Sequence, residues 1–119
     1  MKKQVRNPLL CIPDYNGAGV YALVDEYNKK YIGSSIHVRD RIKRHKSCML
    51  SSLRDGHNCF LNPKIERALH LGAVFSCEVL CEVHSDVSRY ELEEIERIFL
   101  DKFGGFDGTY NYKPIRHRV

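Results

Sequence analysis

Two apolar rhythms alternate along the chain. Ala18 to Val24 is a dense run of β-favouring residues, and Lys30 to Gly33 is a second, shorter one. Asp25-Glu26-Tyr27-Asn28 between them is turn chemistry, so the pair predicts a hairpin. Ser34 and Ser35 offer N-caps for a helix reaching about Leu53, with Arg54-Asp55-Gly56 as its break. Within it Val38, Ile42, Met49 and Leu53 form one apolar stripe. Asn58 or Asn62 can cap a second helix, with Pro63 in its first turn and Gly72 past its end. Val74 to Val83 reads as a strand. His84-Ser85-Asp86 is a turn and cap before a third helix that runs to about Phe103 and stops at Gly104-Gly105. A short strand near Tyr110 closes the series.

The helix faces sort the charged side chains. Arg41 and His45 are four residues apart on the border of the first stripe, where a long side chain packs its stem and aims its head into a cleft. On the third helix Leu92, Ile95, Phe99, Leu100 and Phe103 define the buried face. Glu91, Glu94 and Asp101 point away from it and Glu93 sits near its edge, but Glu96 falls inside it. A carboxylate on a core-facing stripe is costly unless it is paired or holds a metal. Two readings follow: a structural ion pair, with Arg41 as partner, or a lone metal ligand at the floor of a cleft.

Composition narrows the class. The chain has 119 residues, 43% hydrophobic and 29% charged, which suits one soluble domain with its own core. No segment approaches the roughly 20 apolar residues of a membrane span. The start, MKKQVRNPLLCIPDYNG, is basic but lacks the apolar run of a signal peptide, so the expected location is cytoplasmic. Five cysteines occur without a C-x-x-C pair and are expected to be free thiols. Cys77 and Cys81, four apart in a strand, are expected on one face as small buried groups. A zinc site from His45, Cys48 and Cys59 lacks the paired ligand spacing.

Net charge is +4, but its distribution says more. Lys29, Lys30, Arg39, Arg41, Lys43, Arg44 and Lys46, with His37 and His45, share residues 29–46 with a single acid, Asp40. Acids dominate residues 82–101, and Lys113 to Arg118 is basic again. A basic stripe is the footprint of phosphate binding, although a solvated helix face gives the same pattern.

Two tyrosines stand on the expected hairpin, Tyr21 in Gly19-Val20-Tyr21 and Tyr31 in Tyr31-Ile32-Gly33. If residue 22 pairs with 30, they share a face. If Val24 pairs with Lys29, they lie on opposite faces. Both registers are open at this level.

These residues, in this order and spacing, resemble the GIY-YIG endonucleases. The first tripeptide carries Val for Ile and the second matches in full. Ten residues after Tyr31 comes Arg41, then His45. The helical Glu is Glu96, and Asn111 follows fifteen residues later in Gly108-Thr109-Tyr110-Asn111. His57-Asn58, Leu69 to Gly72 and Phe75 resemble the middle segment of the homing-endonuclease branch. The likeness spans about residues 18–112, with residues 1–17 as an N-terminal arm and 113–119 as a basic tail.

The resemblance implies an α+β fold: a three-stranded antiparallel sheet flanked by helices in α/β/α layers, in the order β-β-α-α-β-α. It implies hydrolysis of DNA phosphodiesters with one Mg²⁺ or Mn²⁺ held by Glu96. Arg41 would neutralise the scissile phosphate. Tyr21 or Tyr31 would orient or deprotonate the attacking water, helped by a relay through His45, because a free phenol titrates near pH ~10. Asn111 would tie the last loop to the site. Gly19 and Gly33 are structural, Gly33 letting the backbone approach the first helix. Lys29, Lys30, Arg39, Lys43, Arg44, Lys46 and His57 are the expected nucleic-acid contacts, on double-stranded DNA. No recognition module is discernible after residue 112. Cleavage is therefore of low specificity, or a targeting partner or a recognition domain of a longer protein supplies it. The arm is either disordered or a cover for a sheet edge. A single-strand DNA or RNA nuclease, for which Tyr15, Tyr27 and Tyr110 are the visible stacking candidates, and a non-catalytic DNA-binding module are the alternatives.

Overall fold

The computed structural model describes residues 5–112, so the basic tail lies outside the described residues. Three strands, β1 (Gly19–Val24), β2 (Lys30–Ser35) and β3 (Ser76–Glu82), form an antiparallel sheet in the order β2-β1-β3. Two helices, α1 (Val38–Asp55) and α2 (Pro63–His70), follow the hairpin. Helix α3 (Arg89–Lys102) and a short turn α4 (Gly105–Gly108) follow β3. This is the expected α+β layering with one added helical turn.

Strand parity divides the core. Tyr21 and Leu23 face α1 and α2, where they pack with Val38, Ile42, Met49, Ile65 and Leu69. Val20, Ala22 and Ile32 face α3 and meet Leu92 and Leu100. Val24 pairs with Lys30 and Leu23 with Tyr31, leaving a five-residue loop. That even register puts Tyr21 and Tyr31 on one face. Asp25 holds the loop: its Oδ1 accepts from the N–H groups of Tyr27 and Lys29, and its Oδ2 accepts from the Tyr110 hydroxyl at 2.5 Å.

The expected shared face of Cys77 and Cys81 is overturned by a β-bulge. Tyr21 pairs with Val79 but Val20 with Cys81, so Leu80 is an extra residue and parity inverts. Cys77 packs on the α1 side, Cys81 on the α3 side, and both are half-buried. Gly19 sits beside the bulge, where a Cβ would strike the Cys81 carbonyl oxygen.

Local signals hold with shifts. Ser34 and Ser35 extend β2 instead of capping α1, because the Ser34 hydroxyl is engaged by α3 and Ser35 Oγ accepts from the N–H of His37, the residue just before the helix. Asn62 caps α2 with two backbone N–H bonds and Gly56 ends α1 at positive φ. Ser88, rather than His84 to Asp86, caps α3 through a capping box with Glu91. No strand forms near Tyr110; one backbone bond to the Lys30 carbonyl takes its place. Of the two expectations for the N-terminal arm, covering a sheet edge is the one seen for its described residues, 5–17. Leu9 is fully buried and bridges Phe75 ahead of β3, while Arg6 Nη2 donates to the Leu69 and Ala73 carbonyls. Among the described residues no helix is long and apolar enough to cross a membrane.

Candidate active site

The site gathers at the edge strand β2, which has α1 on one side and α3 on the other. From the α1 side, the fully buried Tyr21 reaches under β2, and its hydroxyl meets His45 Nε2 at 2.7 Å. Gly33 makes this reach feasible. A Cβ there would stand 2.5 Å from Tyr21 Oη and 2.9 Å from Cε2. The glycine therefore makes room for the Tyr21 ring, not for closer approach to α1 as expected. The Tyr31 ring meets the His45 ring edge-on with centroids 5.4 Å apart, so the imidazole sits between both phenols.

From the α3 side, Glu96 is half-buried and its Oε1 accepts from Ser34 Oγ at 2.9 Å. No ion pair with Arg41 forms. Ser34, Arg41, Glu93 and Glu96 share a cleft of about 790 Å³, into which Asn111 and Tyr112 also project. Asn111 bonds both backbone groups of Ile32, its Oδ1 accepting from the N–H and its Nδ2 donating to the carbonyl, each at 2.8 Å. An amide side chain thus mimics a strand and closes the outer edge of the sheet where the site lies.

Electrostatics mark the same residues. Burial raises the Tyr21 pKa well above the phenol value, reinforced by Tyr31 and Glu96 and opposed by Arg41. Burial pushes Tyr31 up to about 12, with Glu96 raising and Arg41 lowering it. Burial, then Arg41 and Arg44, lowers His45 to about 4, so the ring is neutral at pH 7. Burial also raises Glu96, against the Ser34 hydrogen bond and with help from Glu93. Perturbed groups clustered in a cleft are the physical signature of a site.

Of the six expected catalytic residues, Tyr21 and Tyr31 both meet His45, Arg41 and Glu96 line the larger cleft, and Asn111 lines that cleft as well as a smaller cavity it shares with Tyr31 and His45. The expected nucleic-acid contacts lie in three places. Arg39, Lys43 and Arg44 are exposed on α1 and Lys46 is half-buried there. Lys29 and Lys30 stand by the hairpin loop with their amines over the rings of Tyr110 and Phe103. His57 Nδ1 is 2.6 Å from Glu66 Oε1, on the α2 side of the fold. Ser34 escaped sequence reading, although its even parity with Ile32 places it on the α3 face. Phe60 and Tyr112 also escaped it: both are exposed, and no periodicity marks a loop position.

The fit of a divalent cation can be judged from the donors. Among the described residues no three His, Cys, Asp or Glu side chains gather, which leaves no cage for zinc from His45, Cys48 and Cys59. Glu96 is a single carboxylate with one neutral hydroxyl partner, at a roomy cleft. That suits an ion that keeps several waters and takes one or two carboxylates, as Mg²⁺ does.

The catalytic domain of the homing endonuclease I-TevI, a solved structure, matches with a TM-score of 0.65 at 24% identity, covering 82% of this chain and 99% of that one. At that identity the likeness is one of fold. No curated protein matches the chain. The profile of the GIY-YIG catalytic domain matches residues 17–111. With that span and the two tripeptides on β1 and β2, the chain belongs to the GIY-YIG catalytic domain family.

Proposed function

We propose that the chain is a divalent-metal-dependent endonuclease that hydrolyses phosphodiester bonds of double-stranded DNA. The observation that carries this reading is Glu96. It is a half-buried carboxylate whose one hydrogen-bond partner among the described residues is a hydroxyl, in one cleft with Arg41.

Glu96 would hold Mg²⁺ or Mn²⁺, which when bound would offset negative charge on the phosphate and on the leaving oxygen. Arg41 lines the same cleft and would donate to a non-bridging phosphate oxygen as charge grows there. The proton of the attacking water goes to the Tyr21 oxygen while the Tyr21 proton passes to His45 Nε2. A phenol whose pKa burial raises is a poor base unless it gives up its own proton at the same moment. Tyr21 has that outlet at 2.7 Å; Tyr31 has no such acceptor among the described residues. Tyr31 then orients the water, and Asn111 keeps β2 and the last loop in register.

The test is incubation with supercoiled plasmid, linear duplex, single-stranded DNA and single-stranded RNA, each with Mg²⁺, Mn²⁺ or EDTA. Nicking or linearisation of duplex DNA with metal, and none with EDTA, is the expected result. Cleavage of single strands alone would move the substrate class, and binding without cleavage would leave a DNA-binding module.

A further inference from the structure

Beside the catalytic cleft lies a second cavity of about 320 Å³, lined by Tyr31, His45, Phe60, Asn62, Asn111 and Tyr112. Three features define what it suits. Its walls are aromatic or amide, with no carboxylate, whereas the neighbouring cleft carries Glu93, Glu94 and Glu96. Its volume is at the small end of ligand pockets. Its outer rim is made of two exposed rings, Phe60 at 78% and Tyr112 at 48% exposure, which no packing requirement explains. Asn111 and Tyr112 line both cavities, so the pocket opens directly beside the place proposed for the scissile phosphate.

We propose that this pocket takes an unstacked nucleobase of the nucleotide next to the cleaved bond, held by the Phe60 and Tyr112 rings. The proposal rests on the nucleic-acid nuclease reading above. A chain that places its phosphate against Arg41 and Glu96 carries a base within one nucleotide of this opening. Flat neutral rings accept any base face, and stacking on them is tolerant of sequence. The amides of Asn62 and Asn111 are already bonded to backbone, Asn62 to Lys64, Ile65 and Tyr110 and Asn111 to Ile32. Those bonds fix the orientation of both amides and leave each only one spare N–H, so stacking outweighs edge reading and the pocket selects deformability over base identity. Extruding a base from a duplex costs a few kcal/mol, least where it is unpaired or mismatched. The preferred substrate is then a duplex with a mismatched or unpaired base beside the cut.

The test begins by mapping the cut made by the wild-type protein in a plain duplex with metal. Duplexes are then made with a mismatch, and with an abasic nucleotide, at each position flanking that bond. Wild type is expected to cut the mismatched duplex about tenfold faster in kcat/KM, and to lose about tenfold when one flanking base is removed. Phe60→Ala should lose about the same factor on the intact duplex and lose nothing further on the abasic one, because the two changes remove one contact. Tyr112→Phe keeps its ring and should keep most of the activity, while Tyr112→Ala should behave like Phe60→Ala. Phe60 is exposed, so its loss leaves the fold intact, which circular dichroism checks. Losses that multiply in Phe60→Ala with the abasic duplex, or a wild type indifferent to base removal, overturn the pocket while leaving the nuclease reading standing. A wild type that cuts no nucleic acid defeats that reading and the pocket with it.

Discussion

Glu66 on α2 and Glu96 on α3 are both half-buried glutamates that accept a hydrogen bond from a serine, yet their environments pull them apart. Burial pushes Glu66 up, but hydrogen bonds from Ser52 Oγ at 2.6 Å, the Asn58 N–H at 2.8 Å and His57 outweigh it and hold the carboxyl below its usual value. Glu96 has Ser34 alone, and burial wins, so its carboxyl lies above its usual value. Glu66 is a finished structural knot joining the end of α1 to α2, where His70 also meets Ser52. Glu96 is a carboxylate left short of partners at the mouth of a cleft. Carboxylates in one fold thus differ in role by partner count more than by burial: the satisfied one holds the scaffold and the unsatisfied one waits for a ligand.

The largest expected effect separates the two glutamates by what each loses. Glu96→Gln should lower cleavage by about a thousandfold or more. Its melting temperature without metal should stay level or rise by a few degrees, because an under-partnered buried charge is gone. Glu66→Ala should keep turnover per folded molecule but lose about 2–3 kcal/mol of stability in urea melts, leaving Ser52 and the Asn58 N–H short of an acceptor. An active Glu96→Gln, or a Glu66→Ala that folds as well as wild type, would erase the contrast.

Removing the Tyr21 hydroxyl comes next. Tyr21→Phe preserves the packing against Gly33 and deletes the bond to His45. Single-turnover cleavage should fall about a hundredfold to a thousandfold, within the usual worth of general-base catalysis. Tyr31→Phe should cost less, because Tyr31 has no outlet for its proton. The reverse order would transfer the base role to Tyr31.

Arg41 and Arg44 sharpen the comparison on the cationic side. Arg41→Ala should cost about a hundredfold in turnover with little change in DNA affinity, as expected of a charge that acts when the phosphate gains charge. Arg44→Ala, on the exposed face, should weaken binding a few-fold and reduce the salt slope by about 1. Filter binding and single-turnover rates measured together distinguish them. Equal losses of affinity with normal turnover would make Arg41 a phosphate anchor only.

The smallest effect is in pH. His45 has a folded pKa lowered to about 4, against about 6.5 when unfolded. Below pH 6.5 the unfolded chain binds the proton more readily, so this contribution is whole above that value and is lost as pH falls toward 4. Going from pH 7 to 5.5 should cost about 1 kcal/mol from this residue. Urea melts at both values should show it in wild type and lose that increment in His45→Gln. Cleavage needs both a neutral His45 and an ionised Glu96, whose carboxyl burial raises, so the rate should climb with pH through the acid range and level off once both groups have lost their protons.

Much of this was readable from residues 18–112. Helical period put Glu96 on the buried face of α3, and Arg41 with His45 on the border of α1, because side-chain direction follows directly from the 3.6 repeat. Strand parity could frame the tyrosine question but not answer it, since register depends on the Asp25 loop and its long-range bond to Tyr110, 85 residues away. The bulge at Leu80 was invisible for a similar reason: one extra residue leaves no compositional mark, yet it sends Cys77 and Cys81 to opposite faces. Lys29 and Lys30 lie over aromatic rings and His57 belongs to the Glu66 knot, contacts between segments distant in sequence. Tyr110, expected as a stacking ring, is buried, while the exposed rings at the site, Phe60 and Tyr112, come from loops without pattern.

The most direct test of the Glu96 assignment is the rate of supercoiled plasmid nicking as Mg²⁺ is raised from zero, in wild type, Glu96→Gln and Glu66→Gln. Nicking should depend on Mg²⁺ in wild type and in Glu66→Gln at a temperature where both are folded. A folded Glu96→Gln should not nick at any Mg²⁺ concentration. Nicking by wild type that persists in EDTA, or a Glu96→Gln that nicks at the wild-type rate, would contradict the assignment.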